Sequence, residues 1–207
     1  MRREFEDDEP TPRKEANFKT LHSKETTVEL KFPSLWNVTF PGVVIHELTH
    51  YFLILITGGK IVGASLFGAK QASVTFKPNS LFPLILISTA PMLIGTIIAI
   101  AFFDQFFNAL GNPDVLMATF WLWLGFSTAM HANPSVPDLK IAEKSIDALW
   151  KTSKPLDAII ALILYVPIAY PLLFFAQLRE KTFNGAQGDY AWTILLLILT
   201  AGIQQYI

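Results

Sequence analysis

Apolar residues run in long blocks along this chain, separated by short stretches rich in polar residues, glycine or proline. Blocks at 35–57, 81–103, 115–130, 155–177 and 190–207 predict helices, most of them near the roughly 20 residues that a bilayer crossing needs. The first ends at Gly58-Gly59 and shortens toward the lower limit for a span if Pro41 opens its helix. The period changes on either side of this block. Thr27-Val28-Glu29-Leu30-Lys31-Phe32 alternates with period two and predicts a short strand. Ile61-Val62 and Gln71–Phe76 predict two more, with Phe67-Gly68-Ala69-Lys70 as the turn between them. In the last of these, Ala72, Val74 and Phe76 share one face and Gln71, Ser73 and Thr75 the other. Residues 104–114 predict a loop. His131 to Asp138 holds Pro134 and Pro137 and cannot form a continuous helix, and a mixed helix over 139–152 follows. The predicted architecture is an all-α polytopic membrane protein of about five membrane helices with a small membrane-associated β-hairpin or sheet. Residues 1–25 are a charged tail. Residues 26–207 are a single domain, with a core over 35–150 and extra spans at 155–177 and 190–207.

Composition supports the membrane reading. Charged residues make up 16% of the chain, against about 25% in ordinary soluble domains, and 52% of residues are hydrophobic. A net charge of −1 offers no basis for nucleic-acid binding. With no Cys, neither a disulfide framework nor a thiolate metal site can form. The first nine residues are charged and no apolar run follows before residue 35, which does not fit a signal peptide. Seven Lys and Arg precede the first block and none lies in 104–114, which favours a cytoplasmic N-terminus. Trp121, Trp123, Trp150 and Trp192 are expected at membrane interfaces and on lipid-facing surface.

Candidate chemistry sits inside the first block, where His46-Glu47-Leu48-Thr49-His50 reads H-E-x-x-H. On a helix the two imidazoles lie four residues apart on one face. They could hold one Zn²⁺ there, with Glu47 beside them as a general base for water. Pro41–Ile45 before the motif and Tyr51–Ile56 after it are too apolar for a solvated helix. A carboxylate within a bilayer costs about 2.5–3.5 kcal/mol, so Glu47 reads as functional. A catalytic zinc needs a third protein ligand and an open position. Asp138, Glu143 with Asp147, and His131 are all candidates. Their plainer readings are a helix-capping Asp, exposed helical carboxylates, and a His at a helix end.

The order of these features resembles the site-2 protease family of intramembrane zinc metalloproteases. H-E-x-x-H in a first core helix is followed by a β-hairpin, a proline-containing helix, and then Asn133-Pro134-Ser135-Val136-Pro137-Asp138 opening the next helix. The resemblance covers about residues 26–150. It implies one zinc per chain held by His46, His50 and Asp138, catalysis by Glu47 with help from Asn133, and strands at 60–77 that present an extended substrate. The implied function is zinc-dependent endopeptidase cleavage of peptide bonds in or near transmembrane segments, with a membrane-protein or peptide substrate and the lipid bilayer as partners. The chain departs from the family pattern in having Leu139-Lys140 rather than Gly after Asp138, Ala90-Pro91 where the family often has Gly-Pro, and an extra His131. These departures motivate two alternatives: a non-proteolytic zinc-binding membrane protein that keeps the fold, and a membrane zincin using Glu143 as third ligand.

Overall fold

The computed structural model describes residues 26–31, 38–66, 71–78, 81–112, 114–151, 159, 174 and 186–205. The predicted tail over 1–25, the turn at 67–70, and the predicted span over 155–177 apart from Ile159 and Phe174 lie outside the described residues. The described part is mostly helical, with a small antiparallel sheet. Helix α1 spans Phe40–Ile56, with Pro41 in its first turn, where the missing N–H has no helical partner to lose. It ends in a reciprocal glycine cap. Gly58 takes the left-handed conformation at φ 75°, while Gly58 N donates to Leu55 O and Gly59 N to Ile54 O. That turn feeds strand β2 (Lys60–Ser65) and then β3 (Gln71–Lys77).

The expected hairpin is a three-stranded sheet. Strand β1, Thr26–Lys31, pairs antiparallel with β3, giving the order β1-β3-β2 with Val28 opposite Val74. The alternation in β3 holds: Ala72, Val74 and Phe76 are fully buried. Val74 and Phe76 pack with Ile54 of α1 and with Leu84, Ile85 and Ile87 of the following helix. Removing such groups from water contributes about 1.5–3 kcal/mol each, which ties the sheet to one end of the helices.

Helix α2 runs from Leu81 to Gly111, straight through Pro91 and through most of the predicted loop at 104–114. The polar residues there extend the helix because they bond within it and across to another helix. Asn108 Nδ2 donates to Asp104 Oδ2 at 3.2 Å, and Asn112 Nδ2 to Asn108 O at 3.3 Å. Helix α3, Val115–Ala132, starts where the Asp114 carboxylate accepts from Met117 N. Helix α4, Val136–Trp150, begins earlier than the predicted 139, so the break between α3 and α4 is three residues long. Pro137 is accommodated in its first turn. Helix α5, Ala186–Gln204, also starts before the predicted 190, and its Gln204 side chain donates to Asp104 of α2. Pro83–Gly111 and Val115–Ala132 are long and apolar enough to cross a membrane, and α1 is apolar but shorter.

Two of the tryptophans make inward contacts that their residue type does not announce. Trp123 is half-buried and its Nε1 donates to Val38 O at 2.7 Å, ahead of α1. Trp192 packs against the cluster of Ala99, Phe103, Ala129 and Leu196 between α2, α3 and α5.

Helices α1 and α3 approach so closely at Gly42 that a Cβ there would lie 2.0 Å from Ser127 O. The contact is polar as well as tight: Gly42 N donates to Ser127 Oγ at 2.7 Å, and Ser127 Oγ donates to Thr39 O at 2.6 Å. Gly42→Ala therefore has to separate two helix backbones, a change expected to cost at least about 1–3 kcal/mol. Gly202→Ala, in a helix with nothing within 4 Å of the new methyl, serves as the control and should stabilise by about 1 kcal/mol. Thermal unfolding of the two variants in detergent should move their midpoints in opposite directions, and equal midpoints would contradict the close crossing.

Candidate metal centre

Helix α1 carries His46 and His50 one turn apart, and both side chains are buried, at 2% and 0% exposure. Their Nε2 atoms face each other at 3.2 Å. The remaining ring nitrogens are held from behind. His46 Nδ1 lies 2.7 Å from His131 O and His50 Nδ1 lies 2.8 Å from Ile87 O. A carbonyl oxygen only accepts, so each Nδ1 donates, and each ring turns its Nε2 toward the other ring and Asp138.

Asp138 completes the group from α4. Its Oδ2 is 3.5 Å from His46 Nε2, and its Oδ1 is 3.5 Å from His50 Nε2. Asp138 also caps its own helix, which is the plainer reading, and the cap leaves its carboxylate directed at both histidines. Ser135 N and Ser135 Oγ donate to Asp138 Oδ2 at 2.8 and 2.6 Å, and Asp138 N returns a bond to Ser135 Oγ. This reciprocal cap aims the carboxylate, and Oδ1 has no hydrogen-bond partner among the described residues. The S-x-x-D spacing of Ser135 and Asp138 is the sequence signal that could have identified Ser135.

A cation between the two Nε2 atoms and the Asp138 carboxylate would satisfy all three buried groups at once. Tetrahedral ligands about 2.0–2.1 Å from a metal are about 3.3–3.4 Å apart, which the observed 3.2, 3.5 and 3.5 Å separations match. Nitrogen and oxygen donors in this number, each imidazole backed by a carbonyl, fit a divalent metal with one position left open.

Glu47 lies between the two histidines in sequence and is fully buried. Neither carboxylate oxygen has a hydrogen-bond partner among the described residues. It is near enough to His46 and Asp138 to interact electrostatically with both.

The other candidates are placed differently. Glu143 and Asp147 are exposed on α4 and are not part of the ligand group. His131 contributes its backbone oxygen to His46, while its ring Nε2 meets Thr39 Oγ1 at 2.9 Å. Asn133, just beyond α3, is buried and its Nδ2 donates to Asp189 Oδ1 of α5 at 2.8 Å. His46, Glu47, His50 and Asp138 are thus brought together as the sequence reading expects. The supporting groups His131 O and Ile87 O carry no signal in a search by residue type, since both are backbone atoms. No protein-family model matches the chain, and no curated protein or solved structure matches it either.

Proposed function

We propose that this chain is an intramembrane zinc endopeptidase of the site-2 protease kind, hydrolysing peptide bonds in or near transmembrane segments. His46, His50 and Asp138 would hold the zinc. The observation that carries the reading is Glu47, a carboxylate with no exposure and no hydrogen-bond partner, beside three converging metal-type ligands. Burying a carboxylate without partners costs several kcal/mol, and a reaction that needs a base there gives that arrangement a purpose.

Zinc, when bound, supplies the Lewis acidity that makes water nucleophilic near neutral pH and polarises the scissile carbonyl. Glu47 takes a proton from the attacking water and returns it to the departing amine nitrogen. The carbonyls of His131 and Ile87 keep both imidazoles in the tautomer that leaves Nε2 bare. Asn133, held by Asp189, is proposed to offer its side-chain amide to the oxyanion. Strand β2 is exposed along nearly all its length and forms one edge of the sheet, so it can pair with an unwound substrate backbone regardless of side chains. The same reading places the chain in the membrane as a multi-pass protein with a cytoplasmic N-terminus.

The test is to incubate the full chain, purified in detergent and loaded with zinc, with a helix-destabilised membrane peptide. Fragments are expected, they should vanish with a chelator, and they should return when zinc is restored. A chain that retains one zinc but releases no fragments would select the non-proteolytic alternative.

A further inference from the structure

Pro91 is buried inside α2, a continuous helix from Leu81 to Gly111, and is not itself one of the candidate ligands. A proline within a helix does two things to the residue four positions before it. It removes the N–H that would bond to that residue's carbonyl, and its ring pushes that carbonyl off the helix axis. Four positions before Pro91 is Ile87, and Ile87 O is the atom to which His50 Nδ1 donates at 2.8 Å. The interior carbonyl that Pro91 deprives of its helical donor is therefore the one that orients a candidate metal ligand.

The second imidazole shows the same logic at a different kind of break. His131 O would ordinarily accept from the N–H of residue 135 in a continuing helix. That helix ends at Ala132, and Ser135 N donates to Asp138 Oδ2 instead. His131 O is thus released to accept from His46 Nδ1 at 2.7 Å. Both histidines take their orientation from helix carbonyls deprived of their usual partner.

We infer that Pro91 is a positioning residue for the metal centre: it frees Ile87 O so that His50 is fixed with Nε2 toward Asp138 and His46. The inference rests on the metal-binding part of the proposed function, not on proteolysis. It also makes a prediction that a purely structural proline would not. Restoring an N–H at position 91 repairs the helix, and this should weaken metal binding even where it does not weaken the fold. A carbonyl has two lone pairs, so the His50 bond need not vanish. An N–H at position 91 would nonetheless compete for Ile87 O and draw it into the helix's own hydrogen-bond ladder.

The experiment compares wild type, Pro91→Ala and Pro91→Val, the latter keeping apolar volume in the buried site. Zinc affinity is measured by chelator competition, and the His50 and His46 Nδ1–H resonances are followed in zinc-loaded protein labelled with ¹⁵N-histidine. Both variants should bind zinc about tenfold more weakly, in the range typical for loss of a group that supports a metal ligand. The His50 resonance should move while that of His46 stays. Wild-type affinity in both variants, with the His50 resonance unmoved, would overturn the inference and leave the metal centre intact. Failure of the wild type to bind zinc would overturn the metal reading itself, and this inference with it.

Discussion

Asp138→Asn should lose zinc by at least about a hundredfold in affinity while α4 remains folded. The two results separate because the two jobs of Asp138 use its atoms differently. An Asn side-chain oxygen can still accept from Ser135 N and Ser135 Oγ, so the reciprocal cap that opens α4 survives. What disappears is the negative charge that two imidazoles and a carboxylate need in order to hold a divalent cation. Asp138→Ala, by contrast, should lose zinc and also cost about 0.5–2 kcal/mol through the broken cap. Metal content after dialysis against a chelator, read beside the unfolding midpoint, distinguishes the two. Zinc kept by Asp138→Asn but lost by Glu143→Ala would instead make Glu143 the third ligand, although it is exposed on α4.

Glu47→Gln should behave in the opposite way, with zinc content unchanged and peptide hydrolysis reduced by about 10²–10⁴. Glutamine matches the size of Glu47 but cannot take a proton from water. The ligand atoms of His46, His50 and Asp138 are untouched, so a loss of metal would contradict the roles assigned here. The substitution also removes a buried carboxylate that has no hydrogen-bond partner, so the midpoint for thermal unfolding of the metal-free chain should rise. A variant less active yet more stable is the pattern expected where function retains a destabilising group. Cleavage at the wild-type rate would end the general-base assignment.

Much of the site was legible because its signals are local. The four-residue spacing of His46 and His50 needs only helical geometry, and Val74 and Phe76 follow from strict alternation. Asp138 was one of several candidates by residue type, and the resemblance to the site-2 protease pattern singled it out. What escaped the sequence depends on partners far along the chain or on backbone atoms. The predicted loop at 104–114 is mostly helix because Asp104 finds Gln204 of α5. Pairing of β1 with β3 joins strands on opposite sides of α1, and local alternation does not indicate which strands will pair. Trp123 is legible as an interfacial or lipid-facing residue by type, but the bond from its indole N–H to Val38 O is not. Pro91 was visible as a proline within a predicted helix, but its effect on Ile87 O becomes apparent only when His50 lies opposite.

The centre draws on four helices: ligands from α1 and α4, and supporting carbonyls from α2 and α3. An ion bound there would act as a cross-link among segments distant in the chain, and its binding free energy would be tied to folding by thermodynamic linkage. At a free concentration a hundred times the dissociation constant, that linkage adds about 2.7 kcal/mol, a sizeable share of the total stability of a typical domain. On the proposed reading, scarcity of zinc would then shorten the life of the protein as well as silence it, and the cell's metal supply would govern its abundance.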